Sequence, residues 1–311
     1  MGFQPDFTWY KERNNAVSHR IVDSSRGSTN MIFPNESDAE YTSDTNELQQ
    51  FESDGFQVGD DGSINGSGDT YAAFNWRANG GTTSSNTDGT ITATVQANTT
   101  AGFSIVLYTG TGSNGTFGHG LDSAPEMILL KKRSSSGNWT VGEFNGSGNT
   151  KYLQLNTTSD YITSSTIWNN TSPTSTVVSI GTSSGVNTSG VTYVAFCFHS
   201  VEGYSKIGTY VGNANADGRF LYLGFRPAWI LLKSASSSGD DWFIFDDKRE
   251  THNAIGNYFR ASQTNAEQSS DVLDFVSNGI KFRASSGAVN DGTTFVYMAF
   301  AKQPYRFSNA R

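Results

Sequence analysis

The chain has a single cysteine, Cys197, so it cannot form an internal disulfide and is not a disulfide-stapled secreted scaffold. Cys197 sits inside the apolar run Tyr193-Val194-Ala195-Phe196-Cys197-Phe198 and reads as a buried small hydrophobe, not a nucleophile. Runs of basic residues are missing, and the net charge of −8 disfavours nucleic acid, whose binding rests on Lys and Arg neutralising phosphates. No apolar stretch approaches the length of a membrane span, no signal peptide opens the chain, and no segment shows helical periodicity. There is no Gly-x-Ser-x-Gly elbow and no His-x-x-x-His pair, and His19, His119, His199 and His252 share no ligand spacing. Carboxylates fall mostly in turns, where Asp is expected anyway. The expectation is a protein without catalytic activity; a carbohydrate-active enzyme with a spread carboxylate pair is the third-ranked alternative.

What is present is β-structure. Only 35% of residues are hydrophobic and 16% charged, yet 13% are aromatic, which argues against disorder. Aromatic and β-branched residues between Gly-, Ser-, Thr- and Asn-rich turns predict many short strands and an all-β chain.

One pattern occurs three times. Gly224-Phe225-Arg226-Pro227-Ala228-Trp229-Ile230-Leu231-Leu232-Lys233 is matched by Gly2-Phe3-Gln4-Pro5-Asp6-Phe7-Thr8-Trp9-Tyr10-Lys11 and by Ala124-Pro125-Glu126-Met127-Ile128-Leu129-Leu130-Lys131. Proline suits the mouth of a strand, and the apolar run after it reads as the buried strand. Tyr108 and Tyr210 each stand 17 residues before the proline of their copy, at 125 and 227. Asn138-Trp139 and Asp241-Trp242 match in the second strand, as do Asp23-x-x-Arg26 and Asp246-x-x-Arg249 in the following turn, which reads as an ion-paired brace. The Asp54-Gly55 hairpin of the first copy corresponds to Phe275–Phe282 of the third. Residues 91–95 read as one exposed strand or a connector. The chain therefore divides into three tandem β-sandwich, jelly-roll-like units over 1–84, 85–202 and 203–311. Their cores should be built by equivalent residues, Met127, Ile128 and Leu129 in one and Trp229, Ile230 and Leu231 in another.

Candidate binding residues are few. Trp139, Trp168 and Trp242 could stack on sugar faces, although a core position is the preferred reading of all three. Asn213, Asn215 and Asp217 have the alternate-position spacing of a calcium loop, with Gly224 where the bidentate Glu belongs; a plain hairpin turn is the competing reading. Asp60-Asp61-Gly62 imitates the middle of such a loop without its first and last ligands.

Gly2-Phe3-Gln4-Pro5-Asp6-Phe7, Ser53-Asp54-Gly55-Phe56-Gln57-Val58-Gly59, Asn65-Gly66-Ser67-Gly68-Asp69-Thr70-Tyr71, Val201-Glu202-Gly203-Tyr204-Ser205-Lys206-Ile207-Gly208 and Met298-Ala299-Phe300-Ala301-Lys302-Gln303-Pro304 together resemble an uncharacterised tandem-repeat family of tail-fibre and other virion proteins of marine and cyanobacterial tailed phages. The resemblance covers nearly the whole chain and transfers no catalytic residue. It implies a virion structural protein on the particle surface, a tail fibre or tail-associated protein contacting the host, with a capsid-bound decoration or head-fibre protein as the alternative. It also implies other virion proteins and a host glycan or protein as partners, and a homotrimer as the assembly. Longer members have polypeptide upstream of the Gly-Phe-x-Pro motif, so a fragment or short stand-alone form is expected.

Units two and three open with a lead-in strand, Phe103–Gly110 and Tyr204–Gly212, that unit one lacks. Their aromatic-Ser openings, Phe103-Ser104 and Tyr204-Ser205, find a counterpart in Phe307-Ser308 after the last closing strand. The expectation is a closed pseudo-threefold body in which residues 305–310 lie near the edge of unit one, covering a strand that would otherwise be open.

Overall fold

The described residues of the computed structural model are 2–42 and 44–303, and the fold is all-β and antiparallel. Unit one contains β1 (Phe7–Glu12), β2 (Arg20–Asp23), β3 (Met31–Ile32), β4 (Leu48–Glu52), β5 (Gly55–Val58) and β6 (Tyr71–Trp76). Its sheet has the order β3-β2-β1-β6, and the β4–β5 hairpin packs on its outer face through Leu48, Phe51, Phe56 and Val58.

Unit two contains β7 (Ser84–Asn86), β8 (Ala93–Asn98), β9 (Phe103–Thr109), β10 (Gly115–Gly118), β11 (Met127–Lys132), β12 (Thr140–Glu143), β13 (Lys151–Tyr152), β14 (Ile162–Thr163), β15 (Val177–Ile180) and β16 (Thr192–Phe198). The sheet runs β12-β11-β16-β9-β8-β7, with the β10–β15 ribbon outside it. Residues 93–98 are thus a full member of this sheet, with Ala93 and Val95 buried, and not the exposed strand expected from their alternation.

Unit three contains β17 (Ser205–Val211), β18 (Phe220–Tyr222), β19 (Pro227–Ser234), β20 (Phe243–Asp246), β21 (Ile255–Arg260), β22 (Gln268–Val276), β23 (Gly279–Phe282) and β24 (Thr294–Ala301). These form one eight-stranded sheet, β17-β24-β19-β20-β21-β22-β23-β18, that curls into a nearly closed barrel. The gap between its two edges is bridged by Lys206 Nζ donating to Tyr222 O at 2.9 Å and Arg219 donating to Val211 O at 2.9 Å. Among the described residues the helical part is two single turns, α1 (Gly62–Asn65) and α2 (Ser184–Asn187).

The three proline-led strands are β1, β11 and β19, and their apolar runs are continuous because both faces are covered. Met127 and Leu129 point into one cluster, Ile128 and Leu130 into another; Trp229 and Leu231 alternate with Ile230 and Leu232 in the same way. The first cluster is common to all three units: Phe7, Trp9 and Trp76 meet Phe103, Phe196 and Phe198 and meet Trp229, Leu231 and Phe300. Each unit therefore has its own outer core but shares its inner one.

The contacts that seal the ring repeat around it. Trp139 Nε1 of unit two donates to Phe33 O of unit one at 2.9 Å, and Trp242 Nε1 of unit three donates to Gln154 O of unit two at 2.9 Å. His19 of unit one occupies the equivalent place and reaches Arg260 O of unit three at 3.1 Å. Trp9 Nε1–H is a donor only and points at His19 Nδ1 from 3.0 Å, so Nε2 holds the proton given to Arg260. Burial and the nearby Lys11 charge keep the His19 pKa well below its ordinary value. A backbone bond repeats likewise: Glu40 N to Arg133 O, Tyr161 N to Ala235 O, and Glu267 N to Arg13 O, at 2.8, 2.8 and 2.7 Å. Contacts join one to two, two to three and three to one, so the units are closed in a ring and not strung end to end. The expected position of residues 305–310, including Phe307, lies outside the described residues.

Candidate functional site

The sequence candidates for sugar stacking are not at the surface. Trp139, Trp168 and Trp242 are all 0% exposed. Trp139 and Trp242 belong to the shared cluster, Trp168 to the outer core of unit two, and each indole N–H is given to a backbone carbonyl. This corrects the stacking expectation: an indole flat enough for a sugar is equally suited to packing a three-way junction. The exposed aromatic rings among the described residues are instead Tyr41, Phe220 and Tyr222; the last two, 44% and 59% exposed, share one face of the edge strand β18, with Lys206 Nζ 5.3 Å from the Tyr222 ring centre. Their i, i+2 spacing in Phe220-Leu221-Tyr222 was the available sequence signal. Beside them lies a cleft of about 610 Å³ bordered by Glu126, Asn145, Ser200 and Lys206.

The calcium-like loop is occupied by its own contacts. Asn213 Oδ1 accepts from Asn290 Nδ2 at 2.7 Å and from Asn215 N at 3.2 Å, and the Asp217 carboxylate lies 2.6 Å from Lys281 Nζ. The Asp60-Asp61-Gly62 loop is a helix start, with Asp61 Oδ1 accepting from Ser63 N at 2.7 Å. Among the described residues no three His, Cys, Asp or Glu side chains converge as a metal site. A cation at Asp217 would have to displace Lys281. We expect millimolar calcium to shift the melting temperature by less than about 1 °C, against the several degrees that saturation of a specific site produces; a larger shift, abolished in Asp217→Asn, would establish an ion site there.

The titratable groups inside the body serve packing and the ring contacts. Burial pushes the Cys197 thiol up to about 12. His119 accepts from Leu121 N through Nδ1 and meets Thr174 O through Nε2. Lys11, Lys131 and Lys233, equivalent in the three units, are 0% exposed, and burial lowers each to about 8. Their ammonium groups are spent on backbone carbonyls, Lys131 across the unit boundary on Asp38 O at 2.6 Å and Lys233 on Asp240 O at 2.6 Å.

An open cleft of about 1110 Å³ runs along β6, where unit one meets unit three. Its floor is aromatic: Trp76, Trp229 and Phe300 lie with ring centres 5.2–5.8 Å apart, and Phe74 is beside them. Trp229 Nε1 is buried there without a hydrogen-bond partner among the described residues. One wall carries Asp247, 1% exposed, whose carboxylate is ion-paired with Lys302 Nζ at 2.7 Å. β6 is the outer strand of its sheet among the described residues, whereas its counterparts β16 and β24 are each flanked on that side by a lead-in strand. Trp76 O accepts from Asp6 N, so alternation directs the backbone groups of Tyr71, Ala73 and Asn75 to the open side.

No helix among the described residues is long and apolar enough to cross a membrane. No curated protein and no solved structure matches the chain. Residues 1–304 match one family model, described as a domain of unknown function, and the chain belongs to that family, DUF7483.

Proposed function

We propose that the protein is a non-catalytic structural component of a phage particle, a tail fibre or tail-associated protein that meets the host surface. The observation that supports this reading best is the cyclic set of donors, Trp139, Trp242 and His19, which spends indole and imidazole groups on locking three units into one body. A rigid body of that kind suits display of a surface better than opening and closing around a substrate. The motif resemblance supplies the virion context, and a homotrimer in which one face of each ring meets its copies is the assembly it favours. The contact surface proposed for a host glycan or protein is the exposed pair Phe220 and Tyr222 with Lys206, an arrangement that offers an apolar ring face and a cation.

Locating the chain in intact particles by labelled electron microscopy tests the placement: label on tails supports it, label on heads favours the decoration-protein reading, and absence from particles ends both. Release of sugar from host polysaccharide by the purified chain would overturn the non-catalytic assignment. For the surface, Tyr222→Ala is expected to lower adsorption to host cells at least tenfold while leaving the melting temperature within about 2 °C, since exposed substitutions rarely cost more than about 0.5 kcal/mol. Unchanged adsorption would remove β18 from the contact surface.

A further inference from the structure

Each closing strand hands the chain to the next unit at a carboxylate. After β6, the N–H groups of Ala78, Gly80 and Gly81 are received by Asp6 at 2.7–2.8 Å, and the chain goes on to β9, which lies beside β16. After β16, Ser200 N donates to Glu126 at 2.9 Å, and the chain goes on to β17, which lies beside β24. After β24, Lys302 meets Asp247, which lines the open slot beside β6. The rule of the ring is that the chain leaving each closing strand forms the strand that flanks the closing strand of the next unit. Only the step from three to one lacks its strand among the described residues.

We propose that the open edge of β6 is a strand-acceptor site and that its occupant is the segment of the same chain that follows β24, residues 304–311. Three observations at the slot ask for such an occupant: the backbone edge at Tyr71, Ala73 and Asn75, which has no strand partner among the described residues and whose Ala73 O meets the Asn75 side-chain amide, Trp229 Nε1 without a partner among the described residues, and the aromatic floor. A strand laid there gives the edge its ladder bonds, covers the floor with alternate side chains, and brings carbonyls to the indole. The geometry fits the length. Residues 307–311, about 17 Å when extended, can run beside Trp76 to Ala72, five of the six residues of β6. The register fits too. Phe103 stands opposite Phe198 and Ser205 opposite Phe300, seven residues after Phe198. Seven residues after Phe300 comes Phe307, which would stand opposite Trp76 as Phe103 stands opposite Phe198, where the rings stack with centres 4.7 Å apart.

Hydrogen exchange of the full chain and two variants decides this. In the full chain, the amides of Ala73 and Asn75, which this register sets opposite residues 310 and 308, should exchange as slowly as their counterparts Tyr297 and Ala299. Ending the chain at residue 303 should speed exchange at those two amides at least tenfold and leave β16 unchanged, and adding a peptide of residues 304–311 should restore the protection. Phe307→Asp in the full-length chain should reproduce the loss, guarding against a truncation that only misfolds. Equal exchange in all three proteins would overturn the proposal. Protection that rises with protein concentration alongside a doubled mass would overturn it as well, by making the occupant the tail of a second copy.

Discussion

Replacing Trp242 by alanine is expected to destabilise the whole body by about 3–5 kcal/mol, the range for emptying a large aromatic site. The side chain is 0% exposed within the cluster common to all units, and its indole N–H satisfies Gln154 O of the neighbouring unit at 2.9 Å. Truncation removes packing and also leaves a buried carbonyl without its donor, a second cost of about 1–3 kcal/mol where water cannot replace the bond. Because the cavity opens in shared core, the loss should appear as a single shifted transition, seen alike by probes in β1, β11 and β19. Trp168→Ala makes the contrast. It is equally buried but belongs to the outer core of unit two, so its first effect should be on β10 and β15. Two separate transitions in Trp242→Ala, or a cost below about 1 kcal/mol, would show that the units do not depend on a common core.

The triplication was legible because strand mouths, turns and closing strands reuse residue types at fixed spacing, and β1, β11 and β19 fall where the prolines placed them. What the alternation within them meant was less legible. A continuous run such as Met127-Ile128-Leu129-Leu130 shows that both faces are covered, but not that one face belongs to other units. Trp139 and Trp242 were recognised as equivalent while their partner His19 was not, since unit one exchanges sizes: Trp9 stands where Leu129 and Leu231 are, so the smaller His19 fits where the tryptophans are. Identity scanning misses a swap of volume between neighbours, which packing density enforces. The aromatic-Ser match of the lead-in strands was off by one residue, because the ladder puts Ser205, not Tyr204, in the place of Phe103. The ion-paired turns Asp23/Arg26 and Asp246/Arg249 were expected as local braces. They are also halves of inter-unit networks, with Arg133 and Arg13 bound to Glu40 and Glu267 from the adjoining unit. The partners that complete those networks, Glu40 and Glu267, lie in the irregular segments after β3 and β21, where no period marks them.

Those networks make unit one separable by acid. Glu40 is held by Arg26 and Arg133, both at 2.8 Å, and Glu267 by Arg13 and Arg249 at 2.8 and 3.0 Å. Burial opposes ionisation of each carboxyl, but the arginine hydrogen bonds and charges outweigh it and hold both below the usual carboxylate range. A folded-state pKa below the unfolded one means that the unfolded chain takes up protons first as pH falls. The stabilisation is therefore complete above about pH 4.5 and is lost below it. The third boundary is built differently. Tyr161 replaces the glutamate, Ala235 the arginine, and Gly146 the bracing Arg26 or Arg249, while burial raises the carboxyl of Glu143 there. A raised pKa has the opposite sign, so protonating Glu143 does not loosen that boundary. Both acid-sensitive boundaries flank unit one, and exchange of β1 and β2 should accelerate near pH 4 while β11 and β19 remain protected. At neutral pH, Glu40→Ala should cost about 3–5 kcal/mol, because the fully buried Arg26 keeps only Asp23 to balance its charge. Adding Arg133→Ala to that variant should cost little more, since the two groups act as one unit and their effects are not additive. Simultaneous loss of protection in all three units at low pH would refute the assignment of acid sensitivity to these two boundaries.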